Sequence, residues 1–163
     1  MGTASLPAPL TTDEYLYFLD RAFTGMLDVL SELDEEAINT RPSLPGANSP
    51  YAIVYHCVEM SDYWIGHVVA GRPTNRDRTA EFNAMGTLND LRRRVGDVRH
   101  RLLDDLAGTD LHGDPRNPPA RDYQGPEQPL TCTGVLLHVL EELAQHHGHA
   151  QLSRDLLLHE AAR

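Results

Sequence analysis

The fold of this chain is decided by a stretch late in the sequence, residues 136–158, which reads LLHVLEELAQHHGHAQLSRDLLL. Its apolar residues recur at helical spacing, which predicts one long helix over about residues 130–158. Four polar side chains in it, at spacings of four, four and three, share one helical face: His138, Glu142, His146 and His149. Apolar residues flank this face, so we expect it to be buried, where polar groups need a partner.

Three earlier segments have the same helical periodicity, at about residues 12–33, 49–70 and 87–106. Connections rich in Pro and Gly separate them, and residues 107–129 form a connection too long to be a simple link. No segment alternates in the manner of a β-strand. Four long amphipathic helices in 163 residues predict an all-α four-helix bundle, with residues 1–163 as a single domain.

Composition excludes several classes of protein. The chain has 24 acidic and 14 basic residues, for a net charge of -10, so it should repel nucleic acid. Two Cys cannot build a disulfide framework, and no apolar run approaches the roughly 20 residues of a membrane span. The first residues do not resemble a signal peptide. We therefore expect a cytoplasmic protein that binds neither nucleic acid nor membranes.

The buried polar face predicts a metal site. Glu142 and His146 are four residues apart, so both can reach one ion, although most such pairs are surface contacts. A third ligand must come from another helix, and His56 is the best candidate because it lies among apolar residues; the alternative is a hydrogen-bonded core histidine. Two His and one carboxylate leave coordination positions open, as in catalytic zinc sites, and the same set also suits iron.

Other polar residues have more than one interpretation. His149 lies on the same face one turn from the Glu142–His146 pair, as a further ligand or a supporting group. Arg154 follows His146 by eight residues and either forms a salt bridge within the bundle or holds a substrate carboxylate. Cys57 and Cys132 are expected to be small buried apolar residues.

The residues quoted so far resemble the DinB-like four-helix metalloproteins, especially the mycothiol-dependent branch with maleylpyruvate isomerases and thiol S-transferases. The matching positions, over about residues 12–158, are Pro45-Gly46, His56, Trp64, Glu142, His146, Gly148-His149 and Arg154. The resemblance implies His56, Glu142 and His146 as metal ligands. The chain departs from the pattern at Gln151 and at the extra His147, and residues 74–129 match nothing in it.

The resemblance implies a divalent metal, zinc first and nickel or iron as substitutes, with mycothiol as cosubstrate. The expected function is a metal-dependent thiol S-transferase or isomerase acting on a small electrophile, with His56, Glu142, His146 and Arg154 as catalytic residues and Arg154 and His149 binding the cosubstrate. Two alternatives remain open. An open metal position could activate water in a hydrolase, or the bundle could bind metal without catalysis. The family also suggests a homodimer, and six aromatic residues hint at a contact surface: Tyr15, Tyr17, Phe18, Tyr55, Tyr63 and Trp64.

Overall fold

The computed structural model describes residues 10–121, 123 and 125–163. The described residues form helices and no strands, as the sequence predicts. The helices are α1 (Thr12–Ser31), α2 (Glu35–Ile38), α3 (Pro50–Ser61) continuing as a π-helical segment (Asp62–Val69), α4 (Arg78–Glu81), α5 (Leu88–Ala107) and α6 (Cys132–Ala161).

The long helices begin at polar caps that the sequence supplies. The Thr11 hydroxyl accepts from the Glu14 amide at the start of α1, and Thr87 does the same for Asp90 at the start of α5. In both, the acidic side chain accepts from the cap residue in return, which forms a capping box. Ser49 caps α3, with Pro50 at its first position. These caps fix where each helix starts because they satisfy amides that have no partner within the helix.

The core forms where the four long helices meet. α6 packs against α1, α3 and the π-helical segment, and α5 packs against α1, α3 and the same segment. Buried apolar side chains come from all four helices, as the predicted periodicity requires, and include Leu19, Phe23, Met60, Leu102, Leu136 and Leu143. None of the helices in the described part of the chain is long and apolar enough to cross a membrane.

The second long helix is wound differently from what its sequence predicts. An unbroken helix was expected over residues 49–70, but the α-helix ends at Ser61 and the chain continues with π-helical hydrogen bonding to Val69. Arg72 packs over Gly66, where a Cβ atom would collide with its guanidinium. The same guanidinium binds Asp62 and Asp105 at 2.7 and 2.8 Å, which ties the wider segment to α5. Such segments are frequent at functional sites.

The two long connections are more ordered than their composition suggests. The connection between residues 70 and 87 contains α4, which Asp77 caps. The 107–129 connection lies along the π-helical segment, where the Asn117 amide donates to the Val68 carbonyl at 3.0 Å and the Ala120 amide donates to the Tyr63 hydroxyl at 2.9 Å. Its residues 122 and 124 are outside the described part of the chain.

Candidate metal centre and its cavity

Three side chains from α3 and α6 meet inside the bundle. His56, Glu142 and His146 place possible ligand atoms within 4.8 Å of one another. The imidazole rings of His56 and His146 are 4.7 Å apart between centroids, and His146 Nε2 lies 3.5 Å from Glu142 Oε2. The structure thus brings together the three residues that the sequence pattern singled out, although His56 and Glu142 are 86 positions apart in the chain.

A buried carboxylate holds the His56 ring in one orientation. Glu81, 1% exposed at the end of α4, places Oε2 2.7 Å from His56 Nδ1. Burial alone would raise the pKa of Glu81, but the hydrogen bonds with His56 and Arg76 outweigh it and lower the pKa below its ordinary value. An ionised carboxylate can only accept, so Nδ1 of His56 carries a proton, and in the neutral ring the free lone pair is then on Nε2. This arrangement is typical of metal-binding histidines.

Arg76 completes the set of contacts around Glu81. Its Nε and Nη2 atoms donate to the two carboxylate oxygens at 2.6 and 3.0 Å, and its side chain is 3% exposed. Nη2 also lies 3.5 Å from His56 Nδ1, but the much shorter contact of that nitrogen with Glu81 decides its protonation. The Arg76 guanidinium faces the rings of Tyr63 and Tyr123, at 5.5 and 5.1 Å. Arg76 is therefore fully engaged inside the protein.

The chemistry of the donor set fits a divalent cation. The hydrogen-bonding contact with His146 lowers the pKa of Glu142, so that this carboxylate is ionised at neutral pH, as a ligand must be. His146 Nδ1 is buried and has no hydrogen-bond partner among the described residues. Two imidazoles and one carboxylate suit zinc or iron with positions left open. The cluster could hold a metal ion.

The cluster forms the floor of a cavity of about 150 Å³. Its other lining residues are mostly apolar or aromatic, with two arginines among them: Met60, Trp64, Arg76, Arg78, Phe82 and Tyr123. The 107–129 connection supplies Tyr123, whose ring stacks on Tyr63 at 4.2 Å, and the π-helical segment supplies Trp64. The cavity thus has room for a small molecule beside the three ligand side chains.

Two other predicted site residues lie outside this cavity lining. Arg154 donates to Glu32 at 2.7 Å and to Asp155 at 2.9 Å, which is the structural alternative that the sequence left open. The His149 ring stacks near His146 with 6.0 Å between centroids, and burial lowers its pKa. His149 therefore contacts the cluster from one side without being part of it.

Three further residues of the sequence analysis, one histidine and two cysteines, are buried in the core. His138 packs its ring against Trp64 at 4.8 Å, and its Nε2 atom has no hydrogen-bond partner within the described residues. Cys57 and Cys132 are both buried free thiols, as expected. Burial raises the pKa of each, so both stay protonated at neutral pH.

Sequence reasoning missed five residues around this site: Arg76, Arg78, Glu81, Phe82 and Tyr123. They lie in connections, where no helical period indicates which side chains face inwards. One local signal was present, because an Asp before a short run without Pro or Gly is a typical helix cap, and Asp77 caps α4. That signal predicts the short helix, but it does not predict that Glu81 reaches His56.

Comparison with known proteins agrees with this fold. A search of curated proteins gives no match. Among solved structures, the chain is similar to the crystal structure of "the conserved protein of locus from Enterococcus faecalis", with a TM-score of 0.68 and 16% identity over 93% of this chain and 99% of that one. At this identity the likeness shows the fold alone. The sequence model of the mycothiol S-transferase family, a DinB-like family, matches residues 15–158. The chain therefore belongs to the mycothiol S-transferase family.

Proposed function

We propose that this protein is a metal-dependent mycothiol S-transferase that acts on a small electrophile. One observation carries the proposal: in a chain of this family, His56, Glu142 and His146 lie together at the floor of a cavity. The protein would work in the cytoplasm, where low-molecular-weight thiols are kept reduced. A homodimer stays a prediction. Of the six aromatic residues that suggested a contact surface, Tyr15, Tyr63 and Trp64 are buried in the core, whereas Tyr17 and Phe18 are 58% and 56% exposed on α1.

The cation would be held by His56, Glu142 and His146, with zinc as the first choice and nickel or iron as alternatives. When bound, a divalent cation keeps the sulfur of a thiol ionised near neutral pH. The protein's own thiols do not supply the nucleophile, because Cys57 and Cys132 are buried and burial raises their pKa values. The sulfur that reacts therefore comes from the cosubstrate.

The surrounding residues orient the reactants and limit access of water. Glu81 and Arg76 keep the proton of His56 on Nδ1, so the ring cannot turn without losing a buried hydrogen bond. Trp64, Phe82 and Met60 form an apolar wall on which the body of an electrophile can pack. Holding sulfur and electrophile together in one small cavity lowers the entropic part of the barrier.

The reaction that this arrangement supports is a displacement. The sulfur attacks an electrophilic carbon, a carbon–sulfur bond forms, and the leaving group departs with the electron pair of its bond to that carbon. The thiol proton passes to solvent, and nothing is oxidised or reduced. In an isomerase the thiol would add and later be released, so its recovery distinguishes the two reactions.

The test uses the purified full chain loaded with one equivalent of zinc, mycothiol, and 1-chloro-2,4-dinitrobenzene as a neutral electrophile. Formation of the thioether should require both metal and mycothiol. A His146→Ala protein that remains folded should form none above the uncatalysed rate. Metal-dependent turnover of ester or amide substrates with no thiol present would instead support the hydrolase. Metal binding by the folded wild-type protein without turnover of any of these substrates would support the non-catalytic role.

A further inference from the structure

Two arginines, two residues apart, line the cavity and differ in what they contact. Arg76 is held by both oxygens of Glu81 and is almost fully buried. Arg78, at the start of α4, is half-buried, and its guanidinium carbon lies 5.3 Å from the centre of the Tyr123 ring. No salt bridge joins Arg78 to any carboxylate in residues 10–121, 123 and 125–163. Arg78 thus brings to the cavity a positive charge that the described acidic residues do not neutralise.

We propose that Arg78 binds an anionic group of the electrophile, so that the substrates are small, largely apolar molecules carrying a carboxylate or a similar anion. This inference rests on the proposed function and adds its substrate class. It assigns to Arg78 the anion-binding role that the sequence suggested for Arg154, whose guanidinium is instead engaged by Glu32 and Asp155.

The charges around the cavity favour this assignment. The Arg76 guanidinium neutralises Glu81, to which His56 also donates a hydrogen bond, and Glu142 lies among the ligand side chains of the cluster. The chain as a whole carries a net charge of -10, which repels anions from most of its surface. The half-buried Arg78 guanidinium at the wall of the cavity should therefore attract an anion. The hydrogen bonds between them would be stronger than those between neutral groups.

The shape of the cavity indicates which reactant carries the anion. The volume of about 150 Å³ admits a small molecule, and Met60, Trp64 and Phe82 suit an apolar or aromatic body. Mycothiol has no ionised group other than its thiol, so it gives a guanidinium no anion to bind beyond the sulfur. The partner for Arg78 is then the electrophile, with its reactive carbon towards the ligand cluster and its anion at Arg78.

Binding can be measured directly because Trp64, the only tryptophan in the chain, lines the cavity. Zinc-loaded protein would be titrated with 3-nitrobenzoate and with 3-nitrobenzamide, two unreactive quenchers of the same shape that differ in charge. The wild-type protein should bind the benzoate at least 10-fold more tightly than the amide. Arg78→Gln should abolish that preference while amide binding, metal content and melting temperature stay as in the wild type.

Turnover gives the second measurement. With mycothiol, kcat/KM of Arg78→Gln for 4-chloro-3-nitrobenzoate should fall by roughly 10- to 100-fold, the size expected for a lost hydrogen bond to a charged group, mainly through KM. The value for 4-chloro-3-nitrobenzamide should stay within about 2-fold of wild type. Arg78→Lys should keep part of the preference for the benzoate, and Arg92→Gln, an exposed change on α5, should keep all of it.

The outcomes separate the two proposals. The role of Arg78 would be overturned if the wild type bound the two quenchers equally. It would also be overturned if Arg78→Gln still preferred the benzoate, and that result would assign the anion to the metal cluster. An equal loss on both electrophiles would make Arg78 structural. If the wild type transfers mycothiol to neither electrophile nor to 1-chloro-2,4-dinitrobenzene, the proposed function fails, whatever the quenchers show.

Discussion

Helix α6 and the connection between residues 70 and 87 both contribute to the cavity, but they do so in opposite ways. α6 presents Glu142 and His146 at a spacing of four, on a face that is visible in the sequence. The connection contributes Arg76, Arg78 and Glu81, whose spacing in the sequence follows no helical period. The helix therefore fixes which ligand atoms are available, whereas the connection fixes how the His56 ring is oriented and which charges surround the cluster.

The largest effect should come from removing a ligand of α6. His146→Ala should lower the zinc affinity by at least 10-fold, and by more than any change in the connection does, because it removes a donor atom of the cluster. Metal loss should also lower the melting temperature, since ligand binding stabilises the folded state. Metal content after dialysis against a chelator measures the first effect, and His159→Ala, exposed on the same helix, is the matched control.

A smaller effect should follow from removing the charge that orients His56. Glu81→Gln keeps the shape of the side chain, but it allows the proton of His56 to move from Nδ1 to Nε2, so zinc affinity should fall by only about 10-fold. Competition with a chromophoric chelator gives the affinity, and the spectrum of bound cobalt reports on ligand geometry. Glu35→Gln, exposed on the other one-turn helix, should change neither. If Glu81→Gln bound zinc as tightly as the wild type, the side chains of α3 and α6 would be enough to bind the metal without help from the connection.

A small effect on stability is expected at a helix start that the sequence does reveal. The hydrogen bond from the Thr87 side chain, then that from Arg93, lowers the pKa of Asp90 below its ordinary value of 3.8. A lowered pKa in the folded state adds stability above the ordinary value, and that stability is lost as the pH falls through the lowered one. Asp90→Asn should therefore lower the melting temperature by no more than about 2 °C at pH 7. The difference in melting temperature between the wild type and Asp90→Asn should narrow towards pH 3. If that difference were the same at every pH, the charge of Asp90 would play no part in stability.

The smallest effect on activity should come from the protein's own thiols. Cys57→Ala and Cys132→Ala should keep mycothiol transfer within about 2-fold of wild type, since both thiols are buried and protonated. The rate of thioether formation measures this, with metal content as the check on folding. A double variant that is folded and metal-loaded but inactive would point to a protein thiol as the nucleophile and would contradict the role of the cosubstrate sulfur.

The sequence was enough to predict the helical class, the starts of three long helices near residues 12, 49 and 87, and the face on which Glu142 and His146 lie. All of these depend on interactions within a few residues along the chain, which local spacing records. The same reasoning selected His56, because a polar side chain among apolar neighbours needs a partner. It could not tell whether that partner was a metal ligand set, a carboxylate or both.

The site is completed by contacts between residues that are far apart in the sequence. The hydrogen bond of His56 to Glu81 joins residues 25 positions apart, and Tyr123 reaches the cavity from another connection. Arg154 is a second example. Its spacing in the sequence suggested that it lies close to the face of His146, but its salt bridge with Glu32, 122 residues away, holds it outside the cavity lining. Such contacts depend on the path that a connection takes once the helices have packed. No local period carries that information, because the side chains of a connection are positioned by distant partners rather than by their own backbone repeat.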